Sequence, residues 1–129
     1  MFFYGNILFV SLVKIFWGRI RFRDLSDYYS DFTPWYLPQG ITGNQSFPSG
    51  HAAMGFMMMV LFVFIAEKSF YKRLIVKGII ISWALAVCSS RVIIGAHFTS
   101  DVLFGSFIMI TTYLFLIHNA NKTIKSESN

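Results

Sequence analysis

Charge is scarce in this chain: of its 129 residues, 13% are Asp, Glu, Lys or Arg, against roughly 25% in a typical soluble domain. Only six residues are acidic and one is a cysteine. So few carboxylates and thiols form no cluster with the ligand count that magnesium or zinc requires, and neither a metal nor a cofactor is expected. Cys88 alone excludes an intramolecular disulfide, and its place inside an apolar run makes it an inert buried thiol. The eleven basic residues give a formal net charge of +5. They are dispersed among apolar stretches and form no stripe or known module, which argues against nucleic acid as a partner. The apolar N-terminal stretch has no positive leading segment and no small-residue cleavage site, so it reads as a helix and not as a secretory signal.

What the chain does have is apolar surface, since 55% of it is hydrophobic. The runs 2–13, 52–66, 79–87 and 102–117 are each shorter than the roughly 20 residues that cross a bilayer core, and polar flanks at the helix ends extend them to spanning length. The fold class that follows is all-α: an integral membrane helical bundle of about four transmembrane helices. It forms one domain over 1–120, followed by a polar, disordered tail over 121–129. Segment 16–47 scatters Trp17, Tyr28, Tyr29, Trp35 and Tyr36 among charges and prolines, the composition of a loop at a membrane interface, with room for a short amphipathic helix. Around Ser46-Phe-Pro-Ser-Gly a helix start is signalled, with Ser46 or Ser49 as the cap and proline in the first turn. The second helix then runs from about His51 to Ala66, the third from about Leu74 towards Ser90, and the fourth from near Ser100 to Asn119.

If all four helices span, Lys68, Lys72, Arg73, Lys77, Lys122 and Lys125 fall on one side, which the positive-inside rule makes cytoplasmic. The end of the first helix, the start of the second and the junction of the third and fourth then meet at the extracytoplasmic ends. Lys14, Arg21, His51, Arg91, His97 and Asp101 can share a pocket there. So apolar a chain has little reason to hold cations, imidazoles and a carboxylate together unless they meet an anion and act on it.

A phosphomonoester carries up to two negative charges. Its transfer needs cations around the equatorial oxygens, a nucleophile in line with the leaving oxygen and a proton donor for that oxygen. Lys14, Arg21 and Arg91 supply the cations, while Ser49 and the backbone N–H groups of Gly50 and His51 stand where a helix N-terminus binds phosphate. His97 has the Asp101 carboxylate one helical turn away to hold its imidazole in a single tautomer, leaving the other nitrogen to attack phosphorus. His51 is then the general acid to the leaving alcohol and the base for the water that follows.

Pro48-Ser-Gly-His51 and Ser90-Arg-x5-His97-x3-Asp101 resemble the second and third motifs of the type 2 phosphatidic acid phosphatase superfamily, which includes membrane lipid phosphatases and soluble vanadium haloperoxidases. Lys14-x6-Arg21 has the spacing of the first motif, with Phe22 where the family has proline, which leaves the shape of that turn open. The resemblance covers about 14–105. It implies His97 as the nucleophile that forms a phosphohistidine, Asp101 as its orienting partner and His51 as the general acid. Lys14, Arg21, Ser49, Gly50 and Arg91 would bind phosphate. The implied activity is metal-independent hydrolysis of a lipid phosphate or pyrophosphate, with phosphatidic acid, phosphatidylglycerol phosphate, a polyprenyl pyrophosphate or a lipid A phosphate as candidate substrates and membrane lipids as surroundings. Membrane members usually have six spanning helices against the four counted here. Three explanations stand: a natural short form, a truncated reading frame, or a chain completed by a homo-oligomer or by a partner supplying the missing helices. The rival readings are a vanadate-dependent haloperoxidase, against which the hydropathy argues, and a non-catalytic membrane subunit. Outside the motifs, His118 reads as an interfacial polar group, and Arg19 and Arg23 as interface or lipid-headgroup contacts.

Overall fold

The computed structural model describes residues 2–64 and 69–127. Its first helix, α1, is Phe2–Trp17 and contains no proline. It runs one turn beyond the apolar stretch 2–13 and so carries Lys14 in its last turn. Gly18 ends it in the left-handed region, with φ +61° and its N–H on the Lys14 carbonyl at 3.3 Å. The chain then crosses the end of the bundle as an irregular loop whose only helical feature is a 3-10 turn at Phe22–Asp24. That turn stands in place of the expected short amphipathic helix.

Helix α2, Gly50–Met57, is followed without a break by a 3-10 turn, Met58–Val60, and by α3, Leu61–Phe64. Residues 65 and 66, at the expected end of this second rod, lie outside the described residues. Helix α4, Phe70–Ile93, starts four residues before the expected Leu74, and α5 is Thr99–Glu127. The disordered tail expected from residue 121 is therefore helical as far as Glu127. The polar composition that unsuits this segment to a membrane does not stop a helix, since it contains neither Gly nor Pro and includes the good formers Lys122, Lys125 and Glu127. No strand occurs among the described residues. Two helical stretches, Phe70–Ile93 and Thr99–Asn119, are long and apolar enough to cross a membrane; Gly50–Val60 is apolar but shorter, and α1 has 16 residues.

Helix α2 lies at the centre and touches α1, α4 and α5. Small side chains make this close packing feasible. Ala53 packs with Val10 of α1 and Met109 of α5, and Ala52 with Cys88 of α4 and Val102 of α5. A Cβ on Gly55 would already sit 3.5 Å from the Ala84 Cα. Ile80, Ala84 and Cys88, spaced four apart, form the buried stripe of α4. The opposite side of α4 presents Ile79, Trp83 and Ile93 outward, each more than half exposed. Large apolar side chains thus face away from the bundle, the reverse of a soluble helix.

A close approach joins α5 to the chain just before α2. A Cβ on Gly105 would lie 2.3 Å from the Ser49 carbonyl oxygen, a distance only hydrogen allows. Gly105→Ala should therefore destabilise the fold by about 1–3 kcal/mol, the usual cost of overpacking a closed contact. Gly78→Ala, where a Cβ would meet nothing within 4 Å, should be neutral or stabilising by up to about 1 kcal/mol. Unfolding midpoints of the two variants in detergent test this, and equal midpoints would contradict it.

Candidate active site

Three segments far apart in sequence meet at one end of the bundle, and backbone hydrogen bonds join them. The Ser49 N–H donates to the Asp101 carbonyl at 2.8 Å, the Ser46 N–H to the Arg19 carbonyl at 3.0 Å, and the Arg23 N–H to the Gly95 carbonyl at 2.9 Å. Gly18 is required at its position: a Cβ would fall 2.1 Å from the Gly40 carbonyl oxygen, and the Thr42 hydroxyl donates to the Gly18 carbonyl at 2.7 Å. Beneath the loop, Trp35 packs on Phe104 at 4.6 Å and Phe47 on Trp17 at 4.8 Å between ring centroids. Further out, the Ser26 hydroxyl and N–H donate to the exposed Asp31 carboxylate, which holds its carboxyl below the ordinary range. That turn is thus fully formed above the usual carboxylate pKa and loosens as pH falls through the lowered value.

Asp101 is fully buried and stands in the first turn of α5. Its Oδ1 accepts from the Arg19 guanidinium. Its Oδ2 accepts from the Ser46 hydroxyl at 2.5 Å and from the Phe98 N–H at 3.1 Å, the latter being the reach of an acidic side chain at the third helical position back to the cap residue. The His97 Nδ1 lies 3.8 Å from the same Oδ2. That is an electrostatic contact longer than a hydrogen bond, and Nδ1 is buried without a hydrogen-bond partner. The expectation that Asp101 lies beside His97 is met by the geometry, but the tautomer-fixing hydrogen bond is not made at this distance.

His97 reaches this place through the end of α4. Gly95, at φ +66°, reverses the chain, so that the Ala96 and His97 N–H groups both donate to the Arg91 carbonyl, at 3.1 and 3.2 Å. Arg91 itself is half-buried, with Nε donating to the Ser90 hydroxyl at 3.2 Å. Ser49, not Ser46, caps α2: its Oγ accepts from the Ala52 N–H at 3.3 Å. Pro48 precedes the cap and so lies outside the first turn expected for it, while Gly50 and His51 are the first two helical residues. His51 is exposed, and Arg91, His97, Lys14 and Arg21 all lie within electrostatic reach of it. The Lys14 Nζ lies 3.7 Å from where a Gly50 Cβ would be. Arg21 lines a polar recess of about 360 Å³ with Asp24, Gly43, Asn44 and Gln45.

All eight residues singled out in the sequence, Lys14, Arg21, Ser49, Gly50, His51, Arg91, His97 and Asp101, therefore belong to one end of the bundle. Phe22 occupies the first position of the 3-10 turn, and its ring packs edge-on against Phe98 at 5.6 Å. Arg19 departs from expectation. It is 2% exposed and internal, not an interface group, because the left-handed Gly18 turns the chain inward directly after α1. Arg23 is exposed and lies 3.6 Å from Asp24. Spacing could not identify Arg19 or Ser46 as partners of Asp101, from which they are 82 and 55 residues distant. The available signal was chemical, since a buried carboxylate needs a cation and several donors. No three His, Cys, Asp or Glu side chains converge among the described residues into a group able to hold a metal.

A model of the PAP2 superfamily matches residues 2–125, nearly the whole chain. The chain belongs to the PAP2 superfamily. Membership points to phosphatase chemistry. No curated protein and no solved structure gives a significant match.

Within this PAP2 site the Ser46 hydroxyl is the second anchor of Asp101, so Ser46→Ala should destabilise the protein by about 1.5–3 kcal/mol, the range for a hydrogen bond to a buried charged group. Denaturant titration in detergent checks this. An unchanged midpoint would mean that the carboxylate does not depend on that donor.

Proposed function

We propose that this protein is a metal-independent phosphatase that removes phosphate from a lipid phosphate or pyrophosphate through a phosphohistidine on His97. The observation that carries the reading is the convergence of Lys14 on the start of α2 beside His51, with buried His97 held against Asp101. Lys14, Arg21 and Arg91 neutralise the phosphate oxygens, and Ser49 with the N–H groups of Gly50 and His51 adds the donors of a helix N-terminus. With Nδ1 turned to Asp101, the lone pair on Nε2 of His97 attacks phosphorus and forms the P–N bond. The bond to the leaving oxygen breaks as a proton passes to that oxygen from the His51 imidazolium. The neutral His51 then takes a proton from water, whose oxygen displaces His97 from phosphorus. Inorganic phosphate leaves and both histidines are restored.

A hydrocarbon-tailed substrate is supported by an apolar recess of about 380 Å³ walled by Leu103, Phe104 and Phe107, which begins within one turn of Asp101 on the same helix. It is further supported by the outward-facing apolar side of α4. We place the chain in the cell membrane with about four spans, the lysine-bearing ends of α4 and α5 in the cytoplasm and the site on the extracytoplasmic side. Polar headgroups gather at that depth, and the Tyr28, Tyr36 and Ile41 side chains, each more than half exposed around the site, suit an interface.

The test is phosphate release by purified protein in detergent from a panel of lipid phosphates. His97→Ala should abolish turnover, and His51→Ala should slow it by roughly 10²- to 10⁴-fold, the range for losing general acid-base help. Activity should survive EDTA and be blocked by vanadate, whose five-coordinate geometry matches phosphorus in transfer. Near-normal release by His97→Ala, or loss in EDTA restored by magnesium, would refute the reading.

A further inference from the structure

We propose that Arg19 is a positioning residue for the phosphoryl transfer, fixing the Asp101 carboxylate so that Oδ2 is presented to His97, and that it takes no part in holding phosphate. The proposal rests on the reading of His97 as the nucleophile.

Arg19 and Arg21 are two residues apart in one segment, yet their surroundings differ. Arg21 is half-buried and opens onto a polar recess. Arg19 is 2% exposed, and its donors are directed inward: Nε to the Thr33 carbonyl at 2.9 Å, Nη1 to the Ser100 hydroxyl at 2.9 Å and to Asp101 Oδ1. The Phe98 ring covers its guanidinium face at 4.0 Å, with Phe32 at 5.8 Å. A cation so enclosed offers no free edge to an incoming phosphate.

What it does offer is control of Asp101. A buried carboxylate without a cation is costly and takes up a proton rather than stay charged. A neutral acid could not stabilise the positive charge that develops on His97 as it attacks phosphorus. Arg19 also occupies Oδ1, so that Oδ2, already held by Ser46 and Phe98, is the oxygen left facing Nδ1 of His97. Only a planar fork reaches the Thr33 carbonyl, Ser100 and Asp101 together, which lysine, as a single point donor, cannot do.

The experiment compares Arg19→Gln, Arg19→Lys and Arg21→Gln with the wild-type full chain in detergent, reading kcat, KM, inhibition by vanadate and the unfolding midpoint. Both Arg19 variants should lose kcat by roughly 10- to 100-fold, the usual effect of removing a group that orients a working residue. Their KM and vanadate inhibition should stay within about twofold of wild type, with Lys retaining more kcat than Gln because it keeps the charge. Arg21→Gln should instead raise KM and weaken vanadate. If Arg19→Gln does not fold, Arg19→Lys decides. A folded Arg19→Lys with wild-type kcat would overturn the proposal. So would a loss of vanadate affinity in either Arg19 variant as large as in Arg21→Gln, which would make Arg19 a phosphate ligand. Absence of phosphate release by the wild-type chain would refute the phosphatase reading itself, and this one with it.

Discussion

The arrangement of this protein depends on one buried charge. Asp101 is inaccessible to solvent and lies in the first turn of α5. Burying a carboxylate is feasible only when a cation and further donors surround it. The donors come from the segment after α1 through Arg19, from the segment before α2 through Ser46, and from the helix cap at Phe98. Satisfying the carboxylate therefore draws together the three segments that carry the candidate site residues. The Asp101 carbonyl adds to this by accepting from the Ser49 N–H, and the missing side chain at Gly105 lets α5 come close enough for that bond. The bonds that make Asp101 tolerable also bring His97 and the N-terminus of α2, with His51, to the end of the bundle that holds Lys14.

Much of the site is legible in the sequence where its logic is local. His97 and Asp101 are four apart, close enough in sequence to meet, although His97 lies in the turn before α5 and only Asp101 is on the helix. The run around Pro48 announces a helix start. The long-range partners are a different matter. Spacing singles out Arg21 through Lys14-x6-Arg21 but gives Arg19 no role distinct from that of Arg23, and only three-dimensional packing shows that Arg19 turns inward while Arg23 stays exposed. The same holds for Ser46, which sequence offers as a helix cap and which instead serves Asp101, leaving capping to Ser49. Helix ends also shift for local reasons. α5 continues to Glu127 because no Gly or Pro interrupts it after Asn119, and α4 begins at Phe70, directly after Ser69 in extended conformation.

The two faces of the bundle answer to different solvents. Small residues along α2 bring its neighbours close, while the bulky side chains of α4 point away from the core. In water such an exterior would be a liability, whereas in a bilayer it is the ordinary outer surface of a helix. Polar groups concentrate at one end, where the loop 18–49 is held by the Trp17, Trp35, Phe47 and Phe104 rings. This division supports the proposed substrate, which has an anionic head and an apolar tail.

The central claim is that His97, positioned by Asp101, carries the phosphoryl group. It is tested most directly by mixing the purified protein with a lipid phosphate labelled in the phosphate, quenching in alkali within the first turnovers and mapping the label by peptide. The account predicts an acid-labile, alkali-stable label on the peptide containing His97 and absent from His97→Ala. Label on another residue, or turnover of the substrate with no labelled protein at any time, would contradict it.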